Sequence, residues 1–328
     1  MPEHGDMAID TIPIVDIGGF RDGSAKDRVA RQVQEAAETV GFLYIAGHGV
    51  DQTVIEGAFE ASRAFFALPE ADKLTVKINN AHRGFMPINN STYTADLKPN
   101  FNETFLTGLD LGPDDPDVKA GVPLHGPNQW PAAMPALRPA IDTYFNALRD
   151  VGDTVLRIFG RALDLDEDYF LPYFKKPMPF VRLLHYPPQP PTRAENEFGI
   201  APHTDYGFVT ILAQDEVGGL QVRRRDGGWI DAPYVPGTFV VNIADMLKRW
   251  TNDRWLSTPH RVINTTGRER YSIPFFFDPT YHTLVECIPG CNRNGEAPKY
   301  PPITWGDYLK QRFDSTYDYR KAKRQDGA

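Results

Sequence analysis

The sequence predicts a mainly β protein with flanking helices, and three observations carry that reading. From Phe180 onward, short apolar runs recur roughly 8 to 12 residues apart between Gly, Pro, Asn and Asp clusters, the pattern of a β-sandwich or barrel. Before them, Pro135 to Asp164 steps its apolar residues by threes and fours, which marks one long helix with a broad buried face. Earlier still, two shorter helical stretches bracket a single strand-like run.

In order, Ile12-Pro13-Ile14-Val15-Asp16 reads as a short strand whose proline suits a sheet edge. Lys26 to Val40, rich in Ala, Glu, Gln and Arg, reads as a helix ended by Gly41, and Phe42-Leu43-Tyr44-Ile45 as a strand. Gly47-His48-Gly49 is a turn, with His48 a hydrogen-bonded turn histidine. A second helix runs from Asp51, a natural N-cap, to Ala67. Between Asn79 and Gln129 turn residues dominate, so a long loop near the functional site is expected. The long helix at Pro135–Asp164 then serves as a spine across the β core. Strands are expected at Phe180–Leu184, Phe208–Leu212, Gly219–Val222, Trp229–Ile230, Phe239–Val241, Pro259–Ile263, Tyr271–Phe277 and Leu284–Glu286. A short helix from Thr304 to Phe313 and a solvated basic tail (Arg320, Lys321, Lys323, Arg324) close the chain.

Composition narrows the class of function. With 35 basic and 43 acidic residues the net charge is −8, which disfavours a nucleic-acid partner. No apolar run reaches the roughly 18 to 20 residues of a membrane span, and Met1 to Asp10 carries no secretory pattern. Only Cys287 and Cys291 are present, so reduced thiols in the cytoplasm are expected rather than a disulfide framework.

Three pieces of the chain form one chemical constellation. In an extended strand His203 and Asp205 share a face and can meet one ion, and His260 follows 55 residues later. Two neutral imidazoles and one carboxylate leave about half of an octahedral ion's positions open, the donor set of non-haem Fe(II) oxygenases. Ten residues beyond His260, Arg270 and Ser272 share another strand face and offer a guanidinium fork and a hydroxyl to a carboxylate. A metal with open positions beside such an anchor suggests a 2-oxo acid cosubstrate. Phe276, on the same face, should point into the pocket mouth, with Phe275 and Phe277 packed on the other side.

The stretch from Val240 to Pro279 resembles the isopenicillin-N-synthase-like family of Fe(II)/2-oxoglutarate oxygenases. The resemblance rests on Val241-Asn242-Ile243-Ala244-Asp245, Thr251-Asn252-Asp253, Ser257-Thr258-Pro259-His260-Arg261-Val262 and Arg270-Tyr271-Ser272-Ile273-Pro274-Phe275-Phe276. It extends upstream through Gly219-Leu220-Gln221-Val222 and His203-Thr204-Asp205 to Gly41-Phe42-Leu43-Tyr44-Ile45 and Ile12-Pro13-Ile14-Val15-Asp16. It implies a double-stranded β-helix (jelly-roll) core, with residues 1–135 an N-terminal mixed region of the same unit and 136–328 the spine helix and catalytic core. It also implies Fe(II), 2-oxoglutarate as cosubstrate and molecular oxygen. The reaction would hydroxylate or desaturate a small organic molecule and release succinate and carbon dioxide.

Tyr186 stands where the family places a tyrosine on the cosubstrate's distal carboxylate, and Leu184 where many members have Asn. Ala244 replaces the family's usual Gly. His185 alternates to the other strand face. Arg83-Gly84-Phe85 and Asn102-Glu103-Thr104-Phe105 resemble segments that border the substrate pocket, so Arg83 is a candidate substrate clamp. The alternatives are a family oxidase that does not consume 2-oxoglutarate, an ethylene-forming enzyme, and a metal- or oxo-acid-binding module without turnover.

Overall fold

A computed structural model of the chain describes residues 11–89, 97–189, 196–292 and 297–317. The expected basic tail and the first ten residues lie outside this set. The first part comprises β1 (Ile14–Asp16), α1 (Gly18–Arg21), α2 (Lys26–Thr39), β2 (Phe42–Ala46), α3 (Gln52–Phe66) and α4 (Glu70–Leu74). Next come β3 (Gly84–Met86), β4 (Glu103–Gly108), α5 (Pro116–Lys119) and the spine, α6 (Leu137–Ala162). The remainder is β5 (Phe180–Tyr186), β6 (Ile200–His203), β7 (Val209–Gln214), β8 (Leu220–Arg223), β9 (Trp229–Asp231) and β10 (Phe239–Ile243). After these follow α7 (Asp245–Trp250), β11 (His260–Val262), β12 (Arg270–Phe277), β13 (Leu284–Val285), β14 (Ile303–Thr304) and α8 (Trp305–Thr316).

The strands build an eight-stranded sheet, β1-β2-β10-β7-β12-β5-β4-β3, facing a four-stranded sheet, β6-β11-β8-β9. This is the expected jelly-roll core with flanking helices. β1 and β2 run parallel, and the other pairs of the large sheet are antiparallel. Because successive side chains alternate, each central strand feeds two cores. Leu43, Ile45, Val241, Phe275 and Phe277 face α2, α3 and α6 and join the larger apolar cluster. Phe42, Tyr44, Val240, Leu184 and Tyr186 point inward and meet Ile200, Leu220, Val222 and Val262 from the small sheet.

Local chemistry explains the helix ends. The Asp51 carboxylate accepts the Thr53 N–H and caps α3, and Thr304 does the same for α8 through the Asp307 N–H. Gly41, at φ +73°, ends the α2 segment where few other residues could. His48 accepts the Val50 N–H at 3.1 Å, and burial lowers its basicity, consistent with a turn histidine.

The segment expected to be a long loop contributes two strands, β3 and β4, to one edge of the large sheet. β4 pairs with β5 from Glu103↔His185 to Gly108↔Phe180, and all six of its residues are buried. The sequence hides this strand because the polar residues at its start, Asn102 and Glu103, find their partners far along the chain. Glu103 bonds Lys73 Nζ and His185 Nδ1, each at 2.8 Å, while Asn102 donates to the Gly199 carbonyl at 2.6 Å. Part of the segment, residues 90–96, lies outside the described set.

The spine lies close against β12 at Gly152. A Cβ there would sit 2.6 Å from the buried Phe277 ring. Gly152→Ala should therefore lower the thermal midpoint, with a cost of about 1–3 kcal/mol from overpacking despite alanine's better helix propensity. Thermal denaturation followed by circular dichroism checks this; an unchanged or raised midpoint would mean the spine can move away freely.

Candidate active site

His203 is the last residue of β6 and lies opposite His260, the first of β11, with their rings 4.3 Å apart. The neighbouring carbonyls fix both tautomers. His203 Nδ1 donates to the Ala201 carbonyl at 2.9 Å and His260 Nδ1 to the Thr258 carbonyl at 3.3 Å. Carbonyls only accept, so Nδ1 carries a proton in each ring, and in the neutral ring Nε2 is the nitrogen with the lone pair. Those two Nε2 atoms lie 3.6 and 3.7 Å from Asp205 Oδ1.

Asp205 is not on the strand with His203, as the alternating pattern had implied. β6 ends at His203, and Asp205 belongs to the loop that leads into β7. Three hydrogen bonds from the start of α7 hold that loop: Ala244 N–H to the Phe208 carbonyl, Asp245 N–H to that of Asp205 and Met246 N–H to that of Gly207. Thr204 Oγ1 and Ser257 Oγ also donate to the Asp245 carboxylate, at 3.0 and 2.7 Å. The loop thus turns Asp205 back between the imidazoles.

Asp205 Oδ2 accepts from Thr210 Oγ1 at 2.5 Å and Asn242 Nδ2 at 2.8 Å, which leaves Oδ1 facing the two nitrogens. Burial works against its charge, but His260, His203 and the Thr210 hydroxyl outweigh burial and hold the carboxyl below the ordinary range. Burial, and then the neighbouring His203, lower His260 to about 4, so its imidazole is neutral near pH 7. One anionic oxygen and two imidazole nitrogens converging within 4.8 Å are a donor set that fits Fe(II). Among the described residues this is the one such His/Cys/Asp/Glu group.

The same cavity reaches Arg270, which is fully buried. Its Nε donates to the Gly218 carbonyl, Nη1 to Ser272 Oγ at 3.2 Å and Nη2 to Gln214 Oε1 at 3.4 Å. Tyr186 packs under the guanidinium, 4.7 Å from its ring centre. No carboxylate of the described residues forms an ion pair with Arg270, although Asp215 feels its charge. A buried cation without an anionic partner costs several kcal/mol, roughly, and is suited to an incoming carboxylate. Gln214 had not stood out in the sequence. Its Nε2 donates to the Ala232 and Pro233 carbonyls at 2.9 and 3.1 Å, which aims Oε1 at Arg270.

Along β12, Arg270, Ser272, Pro274, Phe276 and Asp278 all line the cavity, while Phe275 and Phe277 enter the outer core. The register expected for Phe276 is the one observed. Arg83 is placed differently: it is not among the cavity-lining residues. Its guanidinium donates to the Ala81 and Leu109 carbonyls and packs over the Phe180 ring at 4.7 Å, one layer behind the wall. Arg182 of β5 lines the cavity instead. Its signal in the sequence was parity, two residues before Leu184 and four before Tyr186 on one strand face. His185 takes the opposite face, stacked on Tyr271 at 4.8 Å.

Comparison with known proteins then identifies the family. Residues 12–133 match the family described as non-haem dioxygenase in morphine synthesis N-terminal, and residues 177–279 match the 2OG-Fe(II) oxygenase superfamily. A 2-oxoglutarate-Fe(II) type oxidoreductase of Emericella nidulans is 37% identical, covering 98% of this chain and 94% of its own. The chain belongs to the 2OG-Fe(II) oxygenase superfamily. It is a non-haem iron dioxygenase that uses 2-oxoglutarate and molecular oxygen to oxidise a small organic molecule. Among this oxygenase's relatives, a 1-aminocyclopropane-1-carboxylate oxidase of Dictyostelium mucoroides is 31% identical over 95% of this chain and 93% of its own. A full-length Neurospora crassa protein crystallised with alpha-KG and thymine superimposes with a TM-score of 0.83 at 29% identity, covering 96% of this chain and 98% of that one.

Cys287 and Cys291 are unpaired, and burial raises both thiols. On this geometry Asp205→Ala should lose most Fe(II) binding, because it removes the one anionic donor, whereas Cys287→Ser with Cys291→Ser should leave binding unchanged. Anaerobic Fe(II) titration of both variants checks the pair; wild-type occupancy in Asp205→Ala contradicts the donor set.

Proposed function

We propose that His203, Asp205 and His260 hold the iron of this oxygenase and that Arg270, Ser272 and Tyr186 hold the distal carboxylate of 2-oxoglutarate. When bound, iron and 2-oxoglutarate supply the oxidative decarboxylation to succinate and carbon dioxide that is coupled to oxidation of a substrate C–H bond. The protein's own contribution is positional. Ala201 and Thr258 keep both imidazoles in the Nε2-donating tautomer, and Thr210 with Asn242 keeps Asp205 charged and oriented. Leu184, Leu212, Leu220 and Val262 line the space between the metal donors and Arg270 and keep it dry. Phe276 and Arg182 form part of the wall on which the small-molecule substrate would lie, and this reading replaces Arg83 with Arg182 as the candidate substrate cation.

The observation that carries the cosubstrate assignment is the buried Arg270 without an ion-pair partner, at the far end of the cavity that opens onto the three metal donors. A five-carbon diacid held at one end by iron would need a charged partner for its other end, away from water. In the described residues no helix is long and apolar enough to cross a membrane, and the two free thiols support a reducing compartment, the cytoplasm.

Titration of the anaerobic Fe(II) protein with 2-oxoglutarate tests the anchor. Losing one member of a buried charge pair costs about 2 to 5 kcal/mol, so Arg270→Ala should bind the diacid roughly thirty-fold to several-thousand-fold more weakly. Arg270→Lys should recover only part of this, since a point charge cannot reproduce the fork. Phe276→Ala, beyond the anchor on the same strand, should stay within about threefold of wild type. If Arg270→Ala binds the diacid as tightly as wild type, Arg270 is not its anchor.

A further inference from the structure

We propose that Asp278 is a positioning residue for the metal site: it clamps the loop that carries Asp205 and so sets the direction of the carboxylate that meets the iron. The inference rests on the assignment of His203, Asp205 and His260 as the metal donors. Asp278 follows β12, is buried and lines the cavity just beyond Phe276, and its backbone is tied to the chain by the Met178 N–H at 3.0 Å. Its Oδ1 accepts the N–H of Phe208 at 2.7 Å.

The loop between β6 and β7 has its carbonyls and its one N–H held by separate partners. The carbonyls of Asp205, Gly207 and Phe208 are held by the start of α7. The N–H of Phe208 is held by a different part of the chain, Asp278 just after β12. The Phe208 ring is packed among Phe159, Phe170, Phe174 and Trp250, so it cannot follow a rotating backbone. The peptide between Gly207 and Phe208 is therefore tied at both ends, its carbonyl by the Met246 N–H and its N–H by Asp278; without the clamp only the carbonyl end stays tied, and glycine offers little resistance to a turn about it. Two residues before it lies Asp205.

Gly207 fits the same reading. A Cβ at this position would sit 2.1 Å from Asp278 Oδ1, 2.8 Å from Cγ and 2.9 Å from Oδ2, so the carboxyl group lies directly on the glycine. Burial, with the charge of Asp205 adding to it, pushes the Asp278 carboxyl up to about 8. Near pH 7 the group is then a neutral acid whose carbonyl oxygen still accepts from Phe208. An amide of the same shape can do the same work.

The test is titration of the metal-free protein with Mn(II), which binds oxygen and nitrogen donors without redox chemistry, with free Mn(II) counted by electron paramagnetic resonance. Removing an outer partner of a metal ligand typically weakens binding about 10–100-fold, and Asp278 acts through the backbone, so Asp278→Ala should fall near the tenfold end. Asp278→Asn should stay within about threefold of wild type. Gly207→Ala, which pushes the carboxyl away while keeping it, should weaken Mn(II) about as much as Asp278→Ala and gives a second reading if that variant folds poorly. Wild-type affinity in Asp278→Ala or in Gly207→Ala overturns the proposal, as does an Asp278→Asn variant as weak as Asp278→Ala. A lowered thermal midpoint with unchanged Mn(II) affinity would make the role merely structural and also overturns it. Asp205→Ala in the same series separates the two levels: full Mn(II) binding there sinks the donor assignment itself, whereas loss there with intact binding in Asp278→Ala sinks only the clamp.

Discussion

Asp205 is a carboxylate buried between two imidazoles, and much of the molecule exists to make that arrangement tolerable. An isolated buried carboxylate would take up a proton. Here Thr210 and Asn242 satisfy one oxygen, and the neighbouring imidazoles favour the charge. The partners come from separate strands: Thr210 from β7, Asn242 from β10, His260 from β11 in the other sheet. The site therefore depends on both sheets keeping their register, because a one-residue slip of any of these strands would turn its donor to the other face. A sandwich buried on both faces by two distinct cores resists such a slip, since every slipped register would send apolar side chains to the wrong layer.

The two ends of the cavity solve opposite problems with similar means. At the metal end a negative group is surrounded by imidazole nitrogens and hydroxyl or amide donors. At the other end Arg270 is surrounded by neutral acceptors, the Gly218 carbonyl, Ser272 and Gln214, with the Tyr186 ring beneath it. Neither end is neutralised by a full opposite charge from the protein. Both are oriented and left incomplete, and under the proposed assignment bound ions would complete them.

The sequence disclosed most of this where a residue's role follows from its own strand. The spacing of short strands, the long amphipathic α6 and the alternation of Arg270, Ser272 and Phe276 along β12 all read correctly, because period and parity are local properties. What stayed hidden depended on residues distant in sequence. β4 looked like loop because Glu103 is polar, and only the fold brings Lys73 and His185 to it. Asp205 looked like a strand residue because His-x-Asp parity is also what a strand would give, and the latch from α7 cannot be seen in the motif. Gln214 aims Arg270 from a neighbouring strand, opposite Ser272, and no spacing rule points across strands. Arg83 was suggested by likeness to a family segment, and its side chain instead meets carbonyls that no local pattern reveals.

The edges of the large sheet have a consequence for how this chain can be divided. β2 pairs with β10 on one side and β4 with β5 on the other, so strands from the first third of the chain cover both flanks of the later ones. The two family matches meet in this sheet, not at a boundary between separate bodies. A fragment beginning near residue 177 would expose β5 and β10 as bare, apolar edges, ready templates for pairing between molecules. It would also strand His185 without Glu103. Chimaeras between members of this superfamily that exchange the first segment must therefore match two strand registers and one buried hydrogen bond at once. Shuffling experiments would do better to exchange the loops between β strands than to cut the chain at the sequence boundary that the two matches suggest.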